Sequence, residues 1–459
     1  MYLSSRGVRP LGRGGAFIAG ADDAGAIAYN PAGLFDAGGQ FLMDGAWVNF
    51  SSDYTRQSLV RQVDPNTGEQ VGSYVQTYAP VEGSTPFLPI PTIAASYKLN
   101  PQWVLGAGVW APYAALSSYP DTVSGQPAPQ RYSLLSLDGS ALALVGVGAA
   151  YAPMPNLRLG ATLGILTGIF RSTVVFSGCV PERFFCAPED PDYDVLAELN
   201  AGPIIAPTGQ LGAIYKAHPK VTIGASFQLP IFVRSGATIR TRLPASPVFE
   251  TARQEGEEAD IDFELPYSIQ LGVEVKPIEN VRVEFAGSFD GWEMHDTIEV
   301  DPDGVALKNV AAFPENYYLP NVALVRGFKN SFSLRLGGEY GFSLAGKQMY
   351  ARAGISFDSS AVPKEYLSVL TMDANKVTPS IGFGAEIGPI RLDAVFAYVI
   401  MPEVTVDPAT AKIQQVSPVQ ANPPAFPTIV NGGIYNGGAT IIGLGATYTF
   451  DPAVVAGAP

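Results

Sequence analysis

Arginines that lie in stretches of alternating apolar and polar residues are the side chains of this chain best suited to bind an anion. Arg158, Arg335 and Arg352 each stand between two apolar residues. A guanidinium can hold a carboxylate through two parallel hydrogen bonds, so these three residues are candidates for binding an acidic substrate. Other charged residues of both signs share their place in the alternation and could neutralise them in an internal ion network instead. These residues are Lys98, Lys220, Glu274, Arg282, Glu284, Glu339, Glu386, Arg391 and Asp393.

Two cysteines, Cys179 and Cys186, lie close together within a long connection. In an oxidising compartment this spacing predicts a disulfide that closes a small loop. The chain has 2 histidines, His218 and His295, and neither is near the cysteines in sequence. The sequence therefore predicts no metal site and no cofactor.

Catalysis is poorly supported by the residue types present. Of the two histidines only His295 lies near a long connection, with Asp290, Glu293 and Asp296 around it. A serine or cysteine nucleophile needs such a base beside it, and the chain has no G-x-S-x-G motif or phosphate-binding glycine loop. An enzyme on a barrel rim is kept as one alternative, but no catalytic residue is assigned.

The elements that must position these side chains are fourteen stretches between Gln40 and Phe450 that alternate apolar with polar or small residues. In one of them Ile269, Leu271 and Val273 interleave with polar residues and glycine, so one face can meet hydrocarbon and the other water. The connections between stretches are alternately short and long, as in outer-membrane barrels with short periplasmic turns and long external loops. The short ones are 100–102, 153–155, 217–219, 277–280, 344–347 and 388–389; the long ones are 54–89, 112–133, 177–206, 242–258, 300–329, 359–376 and 406–437.

This pattern predicts an all-β protein, a 14-stranded antiparallel transmembrane β-barrel of a bacterial outer membrane with both termini in the periplasm. No uninterrupted apolar run approaches the ~20 residues of a spanning helix, although hydrophobic residues make up 47% of the chain. The net charge of -14 argues against nucleic acid as a partner. The opening MYLSSRGVRP lacks the pattern of a secretion signal, so we expect the numbering to start near the mature terminus.

The segment before the first strand is rich in glycine and alanine and has no two-residue period. It is too small to form its own core, so it stays unfolded or packs inside something else. A short helix is expected to begin near Asp22 and Asp23 and to end before Asn30 and Pro31. We divide the chain into an N-terminal segment 1–39, a barrel 40–450 and a tail 451–459.

The run ADDAGAIAYNPAGL at 21–34 resembles the N-terminal hatch of the FadL family, outer-membrane transporters of long-chain fatty acids and aromatic hydrocarbons. In that family the hatch folds back into the barrel and plugs it, with an Asn-Pro-Ala motif that this chain has as Asn30, Pro31 and Ala32. The strands at 265–298 and 330–363 also resemble those of the family. Phe450 ends the last strand with an aromatic residue of the kind that the barrel-assembly machinery recognises. The tail and the cysteine loop do not match.

The resemblance implies uptake of a hydrophobic small molecule, which binds in a pocket against the hatch and leaves sideways into the outer-membrane lipid beneath the lipopolysaccharide. Alternation places apolar side chains on the inner face, and hatch residues could line the same pocket. We expect an opening near Pro112, because proline removes a ladder hydrogen bond. A structural or adhesive barrel remains the other alternative. The apolar candidates for substrate binding are Leu142, Leu144 and Phe170 of the barrel and Phe17, Ile18, Ile27 and Tyr29 of the hatch.

Overall fold

Fourteen antiparallel strands form a closed barrel in which the last strand pairs with the first, Gln40 opposite Thr449. The computed structural model describes residues 5–64, 67, 69–85, 89–112, 117–180, 183, 186–187, 189–419 and 427–450. The proposed tail 451–459 lies outside these residues. Each strand pairs with its neighbours in sequence, so the prediction of a closed 14-stranded antiparallel barrel is confirmed.

Four of the barrel strands, β7 to β10, consist of two segments each, and the other ten are continuous. The strands are β1 Gln40–Val63, β2 Pro89–Lys98, β3 Trp103–Trp110, β4 Ala141–Met154, β5 Leu157–Ser177, β6 Asp194–His218, β7 Val221–Gln228 with Ile231–Arg242, β8 Glu258–Leu265 with Ser268–Val275, β9 Val281–Asp290 with Thr297–Pro302, β10 Val322–Val325 with Ser331–Leu344, β11 Lys347–Asp358, β12 Lys376–Ile387, β13 Ile390–Ile400 and β14 Gly433–Thr449.

The alternation of side chains has the expected physical result. Leu271, Phe285 and Leu336 point outward and are exposed, whereas Gln270, Glu284 and Arg335 of the same strands are buried in the interior. One face of the wall is therefore apolar and the other carries the polar groups, as a barrel in hydrocarbon requires. Among the described residues, no helix has the length and apolar character needed to cross a membrane.

Short turns join the strands at one end of the barrel and long loops at the other. The long-loop end carries further structure: strand Gln70–Thr77 pairs with the extension of β1, and three short strands form a separate sheet. Cys179 and Cys186 are bonded to each other within this region. The short strands of the separate sheet are Arg253–Glu255, Ala306–Lys308 and Asn316–Tyr318; the other short strands are Val81–Gly83, Thr122–Val123, Gln126–Pro127 and Val404–Val406, and the 3-10 turns are Pro191–Tyr193, Pro247–Phe249, Trp292–Met294 and Lys364–Tyr366.

The N-terminal segment, residues 5–39, packs against the inner face of the wall and is almost entirely buried. It contains helix α1 Val8–Gly12, 3-10 turns Ala24–Ala28 and Pro31–Gly33, and helix α2 Leu34–Ala37. Where a short helix was predicted to begin near Asp22 and Asp23, the structure has the 3-10 turn Ala24–Ala28, and the Asp23 carboxylate caps it by accepting a hydrogen bond from the Gly25 amide. Helix α1 faces β11 to β14, and the segments after Asp23 face β1 to β6.

Candidate functional site

The Asn-Pro-Ala motif joins the N-terminal segment to the wall. The Asn30 amide donates to the carbonyl oxygens of Ile18 (2.8 Å) and Ala213 of β6 (3.1 Å), and its own oxygen accepts from the Ala32 N–H (3.2 Å). Gln210 of β6 donates to the Tyr29 carbonyl at 2.6 Å. One buried side chain therefore caps a turn, fixes the preceding loop and attaches both to the barrel.

Inward-facing glycines let the backbone of the N-terminal segment reach the wall. A Cβ at Gly160 of β5 would overlap the backbone of Pro31 and Ala32, and one at Gly337 of β10 would overlap the Arg13 carbonyl. These positions need glycine because the two backbones approach too closely for any side chain. A Cβ at Gly224 of β7 or Gly354 of β11 would overlap backbone atoms in the same way, and one at Gly212 of β6 would overlap the Asn30 side chain. The alternation pattern shows these positions as inward and small, but the sequence analysis gave them no role.

The seven apolar candidates belong to one cluster. Phe17, Ile18, Ile27 and Tyr29 of the N-terminal segment are 0–2% exposed, and they lie in the same hydrophobic core as Leu144. Leu142 and Phe170 are half-buried and pack against this core. The predicted group is thus brought together, and its members fill the space between the segment and the wall with their own side chains.

A network of buried ion pairs holds the other side of the N-terminal segment. Arg9 of α1 contacts both oxygens of Glu339 at 3.1 Å, and it also pairs with Asp22 and Asp23. Arg13 pairs with Glu274 at 2.9 Å. Further pairs of the network are Arg282 with Asp22 and Glu274, Arg352 with Glu339 and Asp393, and Arg391 with Asp23 and Asp393.

Glu284 of β9 is an anion held mainly by backbone groups. Its carboxylate accepts hydrogen bonds from the amides of Ile18 (2.6 Å), Ala19 (2.9 Å) and Gly20 (3.0 Å), and from Arg13 at 3.2 Å. Buried charges need such partners, because an unpaired one would bear its full desolvation cost. The N-terminal segment thus supplies the hydrogen-bond donors and the positive charge that this buried carboxylate of the wall requires.

The three candidate arginines have different surroundings and do not meet at one point. Arg158 lies near the short turns, 3.6 Å from the Asp36 carboxylate and stacked on the Phe35 ring at 4.3 Å. Arg352 is held by two carboxylates of the network, each at 2.6 Å. Arg335 is 2% exposed, and its Nε and Nη1 atoms have no hydrogen-bond partner in the described part of the chain.

A small cavity lies between α1 and strands β11 to β14 and β1. Its walls are divided: one side is polar and the other apolar. Arg335 is not itself part of the lining, but it neighbours two lining residues: Ser356 is opposite Arg335 in the β10–β11 ladder, and Ser5 lies beside the Arg335 side chain. Lys376, which sequence analysis missed although it begins an inward-facing alternation, also lines this cavity and pairs with Asp373 at 2.6 Å. The polar lining is Ser5, Ser356, Asp358, Lys376, Thr378 and Ser380, and the apolar lining includes Leu11, Val48, Ala397, Val399, Ala439 and Ile441.

His295 is surrounded by aromatic rings. Phe263, Trp292 and Phe328 lie 5.1–6.1 Å from its ring, and Nδ1 is 2.6 Å from the Glu264 carbonyl oxygen. The geometry therefore gives His295 the role of a packing group. Among the described residues, no group of three His, Cys, Asp or Glu side chains could hold a metal ion.

Comparison with known proteins agrees with this architecture. The profile of the family described as outer membrane protein transport protein (OMPP1/FadL/TodX) matches residues 3–450. The fold is similar to that of a Pseudomonas aeruginosa FadL homologue, with a TM-score of 0.69 and 13% identity over 98% of this chain and 99% of the other. The Pseudomonas putida toluene transporter TodX gives a TM-score of 0.65 and 15% identity, over 98% and 99%. The monoaromatic hydrocarbon channel CymD gives 0.57 and 17%, over 98% of each chain. No curated protein sequence matches the chain.

Proposed function

Because the chain belongs to the outer membrane transport proteins of the OMPP1/FadL/TodX family, we propose that it takes up long-chain fatty acids or other hydrophobic small molecules. The substrate binds in a pocket against the N-terminal segment, which acts as the hatch of the barrel, and leaves sideways through the wall. The short turns and both termini face the periplasm, and the long loops face outward beside the lipopolysaccharide. The protein is a transporter and performs no reaction on its substrate.

The proposal of an acidic substrate rests on which of the three candidate arginines already has a carboxylate partner. Arg352 already has two carboxylate partners and Arg158 lies beside Asp36, whereas Arg335 makes no ion pair with the described residues. Two of its buried nitrogen atoms lack a hydrogen-bond partner there, and it neighbours Ser5 and Ser356 of the cavity lining. A buried guanidinium without partners is costly, and a ligand carboxylate would satisfy it through two hydrogen bonds. We assign Arg335 as the residue that holds the head group of an acidic substrate.

The shape of the cavity supports an amphiphilic cargo. Its polar side lies next to Arg335, and its apolar side is formed by residues such as Leu11 and Val399. A fatty acid matches this division, because its carboxylate would meet the arginine and its chain would contact apolar side chains. The apolar cluster around Phe17 and Ile27 closes the lumen on the other side and would contact the hydrocarbon part of a larger substrate.

The test is uptake by cells that make the protein, with empty-vector cells as reference and two labelled probes, oleate and an aromatic hydrocarbon. Arg335→Leu should weaken the apparent affinity for oleate about tenfold to a hundredfold, the value of a hydrogen-bonded charge pair. It should leave hydrocarbon uptake nearly unchanged, and Arg335→Lys should retain part of the oleate affinity. Arg240→Leu is the control, because Arg240 pairs with Glu257 while 65% of its side chain is exposed.

Three results separate the parts of this proposal. Uptake of neither probe above the empty-vector level would refute transport itself. Uptake of oleate that Arg335→Leu leaves unchanged would refute the head-group assignment alone. Uptake of the hydrocarbon without oleate would restrict the cargo to uncharged molecules.

A further inference from the structure

Two buried arginines lie near each other without an anionic partner, one in the N-terminal segment and one in the wall. Arg6 is 8% exposed and Arg335 is 2% exposed, and neither makes an ion pair with any residue that the structure describes. An unpaired buried charge bears its full desolvation cost, so these two side chains call for a partner from outside the chain. The other described arginines between the segment and the wall all pair with carboxylates; they are Arg9, Arg13, Arg158, Arg282, Arg352 and Arg391.

The two arginines lie on either side of Ser5. Ser5 precedes Arg6 in the chain, and a Cβ on Gly15 would contact both the Ser5 hydroxyl oxygen and the Arg335 side chain. The Arg6 guanidinium carbon is 5.4 Å from the centroid of the Tyr29 ring. The positive charges of both arginines also act on the Tyr29 hydroxyl, so the two side chains are close to the same group.

Tyr29 fixes the backbone of Arg6 in this place. The Tyr29 hydroxyl accepts a hydrogen bond from the Arg6 amide at 2.6 Å and donates one to the Arg6 carbonyl oxygen at 2.7 Å. In the Arg6 side chain, Nη2 donates to the Ala28 carbonyl at 2.8 Å, whereas Nε is buried without a partner among the described residues. The Nε and Nη1 atoms of Arg335 also lack a partner there. Each guanidinium therefore keeps unused donors.

Carboxylates in the same region are bonded to other groups. Within the described residues none of them forms a salt bridge with Arg6 or Arg335, so that part of the chain does not supply the missing anion. Their contacts are Asp44 with the Val8 amide at 2.7 Å, Asp290 with the Ser288 hydroxyl at 3.3 Å, and Asp358 with the Ser333 hydroxyl at 2.6 Å.

Arg6 lines a second small cavity, which adjoins the cavity described above. The two cavities share one polar residue, Ser5, and the apolar residues Leu11, Val48 and Ile441. The remaining lining of the second cavity is mostly apolar as well. A ligand with an anionic group beside Ser5 would therefore contact hydrocarbon side chains with the rest of its length.

One carboxylate cannot neutralise two guanidinium groups. We propose that Arg6 and Arg335 together bind the phosphate head group of an alkyl phosphate, with the Ser5 hydroxyl as a further donor. A phosphate monoester carries a charge of about −1.5 to −2 at pH 7 and has three acceptor oxygens, so it matches two guanidinium groups and a hydroxyl. This inference rests on the proposed transport function and names the head group that the substrate site binds most tightly.

Probes with the same alkyl chain isolate the effect of the head group. Uptake of labelled oleate is measured in cells that make the protein, with empty-vector cells as reference, in the presence of octyl phosphate, octyl sulfate or octanoate. Octyl sulfate is the matched probe, because it has the same tetrahedral shape with a single charge. Octyl phosphate should inhibit at a concentration at least about tenfold lower than the other two, the value of an added charge-assisted hydrogen bond. Inorganic phosphate, which has no chain, should inhibit far less.

Arg6→Met should abolish this advantage. The three octyl compounds should then inhibit at similar concentrations, because each meets the single guanidinium of Arg335, and Arg6→Lys should retain part of the advantage. Arg240→Met is the control, since it removes an arginine from an exposed pair with Glu257. Calorimetric titration of the purified protein with the same compounds is the second measurement, because it does not depend on transport.

The outcomes separate this site from the transport function. Equal inhibition by the three octyl compounds in the unaltered protein, or an advantage of octyl phosphate that survives in Arg6→Met, would overturn the paired-arginine site. Inhibition by inorganic phosphate as strong as by octyl phosphate would overturn the alkyl phosphate as its ligand. Absence of oleate uptake by the unaltered protein would instead refute the proposed function, and the calorimetric comparison of octyl phosphate with octyl sulfate would still decide the site.

Discussion

The two sides of the barrel hold the same N-terminal segment by different chemistry. On the side of β8 to β14, arginines of the segment pair with buried carboxylates, as Arg13 does with Glu274. On the side of β3 to β7, glycines admit the backbone, and apolar side chains such as Ile27 and Leu34 fill the remaining space. We call these the ionic side and the close-packed side.

This difference has a physical consequence. A buried ion pair depends on both partners, since removal of one leaves the other charged and unsolvated. A close-packed contact depends on shape and is disturbed most by added volume. The two sides should therefore respond to opposite kinds of substitution, and the following predictions are ordered from the largest expected effect to the smallest.

A side chain added at a glycine of the wall should have the largest effect on the docking of the segment. Gly160→Val would place a side chain within the backbone of Pro31 and Ala32, which cannot move without displacing the segment. We expect the segment to undock, because overpacking that typically costs about 1–3 kcal/mol cannot be relieved here by a side-chain rotation and therefore costs more. Ion conductance in planar bilayers should rise as the lumen opens. Gly236→Val of β7 is the control, since no atom lies within 4 Å of a Cβ at that position; equal conductance in both variants would contradict the prediction.

Removal of one charge on the ionic side should have the second largest effect on the docking of the segment. Arg13→Met leaves Glu274 and Glu284 without this partner and should cost about 3–5 kcal/mol, as for other buried pairs that lose one member. Hydrogen exchange of the Ile18, Ala19 and Gly20 amides measures it, because these amides bond to Glu284.

The control for this charge is Arg240→Met, which removes an exposed pair and should change exchange little. Unchanged protection of the three amides in Arg13→Met would mean that the ionic side is not what fastens the segment.

The sequence predicts the two sides unequally well. Alternation is a local property, so the strands, their outward faces and the inward charges follow from it, and the Asn30 motif identifies the family to which the segment belongs. The difference between Arg335 and Arg352 does not follow, because both stand at inward positions. The carboxylates that Arg352 meets, Glu339 opposite it on β10 and Asp393 on β13, depend on how the strands are registered. The gap in pairing between β6 and β7, from Ala201 opposite Ala237 to Gln210 opposite Gln228, is hidden for a similar reason. Prolines such as Pro203 and Pro230 are visible in each strand, but their effect depends on how one strand is registered against the other.

Loss of the Asn30 amide should have an intermediate effect on the close-packed side. Asn30→Ala leaves the carbonyls of Ile18 and Ala213 without this donor and should destabilise the docked segment by about 1–3 kcal/mol. Oleate uptake should fall while barrel assembly, followed by heat-modifiable migration in gels, stays normal. Asn30→Asp keeps an acceptor for the Ala32 amide but loses both donated bonds, so it should resemble Asn30→Ala; unaltered uptake with Asn30→Asp would show that the donated bonds are dispensable.

The smallest effect should come from an ion pair that lies on the close-packed side but is open to solvent. Lys216 of β6 contacts Asp36 at 3.0 Å, with side-chain exposures of 40% and 24%, and Arg158 also lies near that carboxylate. Lys216→Ala should change segment docking by no more than about 1 kcal/mol, because water screens the pair and Asp36 keeps a second cation. Hydrogen exchange of the α2 amides at low and high salt measures this. A loss of protection as large as that of Arg13→Met would mean that burial does not decide how strongly an ion pair holds the segment to the wall. The ionic and close-packed sides would then differ only in the number of charges that each carries.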